Sequence, residues 1–224
     1  MLGIHHHTGL GDHFNCCGMV RYFANLYKCN VRVITKKKYV DIVRYMYYGD
    51  PSITVAEIPS DPWNLEREFA LEYFDKHNIK DRLIVGHQHY PWGSGILKTK
   101  NPWEIFYDQV NLDYSVRQDW FFWPPSMIMA PSYSYAFVHE DISRGLLIDR
   151  SKISKGLKIY ENPSTTNPFF LRGVFQNASE IHCIDSSIKC LIDLIPGIDK
   201  SVKLYLHNVR DYAVGITTNK WEIL

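Results

Sequence analysis

MLGIHHHTGLGDHFNCCGMVRYFANLY, Met1 to Tyr27, passes from a short apolar strand through a glycine-bearing turn into a long helix. Gly9 and Gly11 allow positive φ and close backbone approach in this turn. The helix that follows would then offer free N–H groups and the positive end of its dipole to a ligand. Asp12 closes the turn and is expected on the rim of a cleft. A turn at the carboxyl end of a first strand is where α/β sheets hold ligands. This one departs from the dinucleotide fingerprint, because Phe14 stands in the place of the third glycine and no ribose-binding acid follows.

Outward from that turn the alternation continues. Val31 to Thr35 reads as a β-branched buried strand, Tyr39 to Tyr48 has helical spacing, and Ser52 to Ile58 reads as a third strand. Pro62 opens a helix through about His77, Arg82 to Gly86 is a fourth strand, and Pro102 to Val110 is another helix. The aromatic, proline-bearing stretch from Trp120 to Pro131 breaks the pattern and sets a boundary near Pro125, giving domains 1–125 and 126–224. The second half has strands at Tyr135 to His139, Leu157 to Tyr160, Glu180 to Ile184 and Val202 to Leu206, with helices over Phe169 to Ala178 and Ile188 to Ile195. The expected class is α/β, two Rossmann-like βαβ halves facing across a cleft.

A length of 224 residues with 46% hydrophobic and 22% charged side chains suits one large or two small globular domains. The 25 basic and 24 acidic residues leave a net charge of +1, so bulk charge gives no reason to expect a nucleic-acid partner, and phosphate recognition has to be local. Cys16, Cys17, Cys29, Cys183 and Cys190 are an odd set without paired spacing and read as reduced thiols. With no run of about 18 apolar residues, stable membrane insertion is not expected, and the chain reads as soluble and cytoplasmic.

The segments HHTGLGDHFNCCGMVR, FYDQVNLDYSVR, VHEDISRG and IHCIDSSIKCLIDL, in that order, resemble a family of small GT-B-type glycosyltransferases of bacteria and large DNA viruses, distantly fucosyltransferase-like. The resemblance implies an acceptor-side first half and a nucleotide-sugar-binding second half. It also implies inverting, metal-independent transfer without a cofactor from a GDP- or UDP-sugar to a glycan hydroxyl, in the cytoplasm of a bacterial or virus-infected cell. It makes Asp12 the base that takes the acceptor proton, with His13 as the alternative. Arg144 resembles the basic residue such enzymes set against the diphosphate, although their paired arginines are not both present.

Each of these residues has a plainer reading. Asp12 and the Asp185-Ser186-Ser187 triplet are good helix caps, Arg144 can be a solvated loop cation, and Arg210 can pair with Asp211. As donor-site residues, Gly9 and Gly11 would approach closely, while Ser186, Ser187, Arg144 and Arg210 would hold phosphate and Asp185 a ribose hydroxyl. His7 and His89 would orient sugar hydroxyls. The spacing of His5 with His7 and of His87 with His89 invites a metal, but no acid or cysteine stands at a diagnostic distance and no Asp-x-Asp occurs, so no metal is expected. The aromatics from Trp92 to Trp123, including Trp103, Tyr107, Trp120 and Phe121, are mostly core, and Lys36, Lys37 and Lys38 read as a solvated helix start. Two rivals remain: an NAD(P)-dependent oxidoreductase, and a non-catalytic nucleotide-sugar binding module.

Overall fold

A computed structural model describes residues 1–86, 102–125, 128–163, 166–209 and 219–224. His87, His89, Trp92 and Arg210 lie outside the described residues. The chain divides into two compact units, Met1–Pro124 and Pro125–Leu224.

Unit 1 is built on a parallel sheet of β1 (Leu2–His5), β2 (Val31–Lys36), β3 (Ile53–Ile58) and β4 (Asp81–Ile84), in the order β3-β2-β1-β4. Its helices are α1 (Leu10–Tyr27), α2 (Val40–Met46), α3 (Glu66–Lys76), α4 (Pro102–Asp108) and α5 (Val116–Asp119). β1 and β2 are almost wholly buried, as parallel strands covered on both faces must be, and their Val and Ile content follows from that. Ile34, Ala56, Ile58, Ala70, Phe74 and Ile79 form the core between the sheet and α3. A Cβ on Gly3, in the middle of β1, would come within 2.7 Å of the Phe74 ring, so the missing side chain lets α3 lie directly on the strand. The strand order reverses at β1, between β2 on one side and β4 on the other. This is the topological switch point, and the carboxyl end of β1 is where such a sheet opens a crevice.

Unit 2 repeats the plan with β5 (Tyr135–His139), β6 (Lys158–Glu161), β7 (Glu180–Ile184), β8 (Lys203–His207) and β9 (Glu222–Ile223), all parallel in the order β6-β5-β7-β8-β9, and with α6 (Arg172–Asn177) and α7 (Ser187–Ile192). Its switch point lies between β5 and β7. Inside the sheet, the Asp149 N–H donates to His207 Nδ1 (3.1 Å), which fixes the ring proton on Nε2. His207 Nε2–H therefore donates to His182 Nδ1 (3.0 Å), and His182 Nε2–H to Glu180 (3.2 Å). Ser154 donates to Glu180 through its N–H (3.1 Å) and its hydroxyl (2.5 Å), so the buried row is partnered from end to end.

The elements differ from the sequence expectation chiefly at their ends. The helix expected from Pro62 starts as a 3₁₀ turn, Trp63–Leu65, and the one expected from Phe169 starts as a 3₁₀ turn, Pro168–Leu171. β1 ends at His5, so His7 lies beyond the strand whose face it was expected to share. The five cysteines are free. Burial pushes the Cys17 thiol up to about 11 and raises those of Cys16 and Cys183, which makes these three poor nucleophiles.

Candidate functional site

The loop after β1 gathers a dense polar cluster. Gly9 is the N-cap of α1 but makes no side-chain cap, and Asp12 is the third helical residue. Its carboxylate lies beside the N-cap without capping it: Trp103 Nε1 donates to Oδ1 (2.8 Å), and His7 Nδ1 lies 3.4 Å from Oδ2. The same His7 nitrogen is 3.2 Å from Glu66 Oε1. Glu66, the first residue of α3, is held by the Thr8 N–H (3.2 Å), the Thr8 hydroxyl, and Lys36 Nζ (2.9 Å).

Charge balance follows from this packing. Burial works against a charged His7, but the Asp12 contact and the negative charges of Asp12 and Glu66 outweigh it and raise its pKa above the ordinary histidine value. Burial also pushes the Glu66 carboxyl up, yet His7, the Thr8 hydrogen bond and Lys36 prevail and hold it below the usual glutamate range. The neighbouring imidazoles go the other way. Burial depresses His5 to about 3, lowers His6, and takes His13 well below its ordinary value. His6 donates through Nδ1 to the His7 carbonyl (3.0 Å) and meets His13 edge to face at 4.6 Å. Among the described residues, His5 Nδ1, His6 Nε2 and both His13 nitrogens are buried without a hydrogen-bond partner.

Several sequence readings are corrected here. Neither Gly9 nor Gly11 has a positive φ: Gly9 is extended (φ −66°, ψ 148°) and Gly11 is already helical. The glycine at 9 is explained by proximity, since a Cβ there would come within 2.6 Å of Asp12 Oδ2. Lys36 is not a solvated helix start. It is the buried last residue of β2, paired with Glu66, whereas Lys37 and Lys38 are exposed.

In unit 2 the expected donor residues sit on the loops after β5 and β7, the two strands flanking the switch point. Arg144 is exposed and pairs through Nε with Asp141 (2.5 Å), whose carboxylate also accepts from the Arg144 N–H and the Ser143 hydroxyl. Those hydrogen bonds, from Ser143 first and then from Arg144, hold the Asp141 carboxyl below its ordinary value. Ser186 is the N-cap of α7 and accepts from the Lys189 N–H (3.4 Å), and Ser187 is the first helical residue. Asp185 does not cap. It lies 4.0 Å from the ammonium of Lys189, a buried lysine that the sequence reading passed over.

Glu66, Lys36 and Trp103 were also missed as members of the unit 1 cluster. Glu66 had a readable signal: with Ala70 and Phe74 it occupies the buried face of α3 at four-residue spacing, where an acid has no apolar reason to be. Trp103 carried no such signal, being 91 residues from Asp12 in sequence. Tyr107 and Phe121 are buried, and the Tyr107 hydroxyl donates to the Asn15 carbonyl (2.8 Å), a packing role. Two concavities of unit 1 lie elsewhere. One of about 380 Å³ is lined by residues that include Arg21, Asp50, Trp120 and Phe122, and another of about 550 Å³ lies beside Met1, Tyr27 and Asp81. Both are away from the carboxyl end of β1, and neither carries a comparable set of proton-transfer groups.

Among the described residues no group of three or more His, Cys, Asp or Glu side chains could hold a metal, and no helix is long and apolar enough to cross a membrane. No family model matches the chain, and no curated protein matches it in sequence. Solved structures do match. Escherichia coli heptosyltransferase WaaC with ADP is similar over 100% of this chain and 92% of its own, with a TM-score of 0.50 at 11% identity. The iron-containing dodecameric glycosyltransferase TibC from enterotoxigenic E. coli H10407 is similar over 97% of this chain at 14% identity, with a TM-score of 0.48. This chain spans 64% of that TibC chain, and 58% of TibC in its complex with ADP-D-β-D-heptose. The likeness to WaaC is one of fold, and the architecture of two parallel-sheet α/β units is of the GT-B glycosyltransferase type.

Proposed function

We propose that this protein is a glycosyltransferase that moves a sugar from a nucleotide-sugar donor to a glycan hydroxyl, with inversion and without a metal. The observation that carries the reading is the Asp12–His7–Glu66 cluster at the carboxyl end of β1, at the switch point of a GT-B-type unit. Deprotonating a hydroxyl as it attacks an anomeric carbon requires a base fixed within hydrogen-bond reach, and a partly desolvated carboxylate–imidazole cluster supplies one. Unit 2 would bind the donor. Arg144, Ser186, Ser187 and Arg210 are its proposed diphosphate contacts and Asp185 its ribose contact, with Arg144 exchanging Asp141 for phosphate on binding. His89 is a proposed sugar-orienting residue. The donor base stays open among GDP, UDP and ADP, the last because WaaC and TibC are described with ADP or an ADP-sugar.

The test is calorimetric binding of GDP, UDP, ADP and their sugar conjugates, with and without EDTA, followed by turnover of whichever donor binds. Asp12→Asn is expected to keep nucleotide affinity and to lose kcat by about 10²- to 10⁴-fold. Unchanged turnover in this variant removes the β1 cluster from the mechanism, and selective binding of NAD(P) in place of all three nucleotides overturns the transferase reading.

A further inference from the structure

Resting on the transferase reading, we infer that the base is the Nε2 atom of His7, with Asp12 and Glu66 acting as a pair of positioning carboxylates that hold the ring from its Nδ1 side. The geometry gives each group a separate task. Two carboxylate oxygens, at 3.4 and 3.2 Å, converge on His7 Nδ1. A lone pair on that nitrogen would face two anions, so Nδ1 carries a hydrogen in both protonation states and Nε2 is the atom that gains and loses the exchangeable proton. Asp12 is engaged at both oxygens, by Trp103 Nε1 at Oδ1 and by His7 at Oδ2, and its side chain is 15% exposed against 32% for His7. The imidazole is thus the more accessible member. The loose Nδ1 contacts are of the kind that tighten when a substrate is bound.

Glu66 is the residue that makes this arrangement more than a histidine beside an aspartate. It enters from another element, α3, and is itself fixed by Thr8 and by the buried Lys36 ammonium, so it cannot swing away from the ring at little cost. Among the described residues, the charged and titratable groups facing His7 include Asp12 and His13 from α1, Glu66 from α3, Lys36 from the end of β2, and His5 and His6 from its own segment. Burial keeps His5, His6 and His13 neutral, so the two carboxylates opposed by one ammonium set the proton affinity of His7. In the reaction the acceptor oxygen forms its bond to the anomeric carbon while the bond from that carbon to the phosphate oxygen breaks. The hydroxyl proton passes to His7 Nε2, making an imidazolium whose charge the two carboxylates balance, and the nucleoside diphosphate leaves with the bonding electron pair.

The experiment joins a titration that needs no activity to a rate profile. In histidine-ring NMR of the full chain, the His7 resonance is assigned by its disappearance in His7→Gln. It should titrate above the ordinary histidine value and move down by about one pH unit or more in Glu66→Gln, with the same shift in Asp12→Asn as a second measurement. The acidic limb of kcat/KM should coincide with that titration and move to lower pH in Glu66→Gln, while His7→Gln loses at least about 10²-fold in kcat. A His7 resonance indifferent to both carboxylate variants overturns the inference. So does a limb in the ordinary carboxylate range, at about pH 4, that ignores Glu66→Gln. Wild-type protein that shows the expected titration but turns over no nucleotide-sugar overturns the transferase reading, and with it the role of base. A limb that stays put in an active enzyme overturns the His7 assignment alone.

Discussion

The buried histidines of the two units are finished in opposite ways. In unit 2, His182 and His207 belong to a row in which every ring nitrogen has a partner, ending on a carboxylate that is itself doubly bonded to Ser154. In unit 1, His5, His6 and His13 leave four buried nitrogen atoms unpartnered among the described residues, and the fourth imidazole, His7, is suspended between two carboxylates. A saturated row holds strands in register, and β7 and β8 are the strands it joins. An unsaturated cluster is held at a cost to stability, because each buried polar atom without a partner costs about 1–3 kcal/mol. Such a cost is expected where chemistry requires the groups. The two sheets share a parallel plan, yet one has its polar interior spent on structure and the other leaves polar atoms unpartnered at the carboxyl end of β1.

Breaking the saturated row should have the largest effect. His182→Ala removes the link between Glu180 and His207, leaves His207 Nε2 without its partner and opens a cavity, so denaturant unfolding of the full chain should show a loss of about 3 kcal/mol or more. A loss below about 1 kcal/mol would dissolve the contrast. A smaller effect is expected from pH. Burial, with His182 beside it, depresses His207 to about 4, and burial lowers His182 despite Glu180. The unfolded chain, whose histidines titrate near 6.5, binds more protons than the native one in the interval below that value. The contribution of this row is therefore complete above about pH 6.5 and declines as pH falls toward 4, which unfolding midpoints taken across that interval would register. Smallest of all should be His13→Phe, which replaces an imidazole with two unpartnered nitrogens by a ring of similar shape. Its stability should exceed that of wild type by about 1 kcal/mol, the relief of two unpartnered atoms being partly offset by the tighter fit of the larger ring. A loss as large as that of His182→Ala would show that His13 is as firmly integrated as the histidines of unit 2.

Much of the fold was legible in local pattern. β-branched runs marked the strands, because burial on both faces is recorded in neighbouring residues, whereas the strand order that makes β1 the switch point is not. Boundaries were less so: 3₁₀ turns precede α3 and α6, and β9 is a two-residue strand too short for any period to reveal. For the candidate site, the sequence pointed to Asp12 and His7 but read Lys36 as solvated, since a run of three lysines looks like a surface whatever lies beneath its first member. Glu66 reaches Thr8 across 58 residues and Trp103 reaches Asp12 across 91, and only the closing of the sheet brings them together. Arg144 and Ser186 show the converse: their partners, Asp141 and the Lys189 N–H, are three residues away, so local chemistry alone satisfies them.

The contact between Gly3 and Phe74 gives α3 the character of a measuring rod. Phe74 rests on the strand where no side chain intervenes, and Glu66 lies eight residues earlier on the same helix, about 12 Å along its axis. Any bulk added at position 3 would lift the far end of the rod and carry the carboxylate at its near end away from His7. A featureless glycine in the core is therefore coupled to the carboxyl end of the sheet, and a change at position 3 would have to be answered at the placement of Glu66.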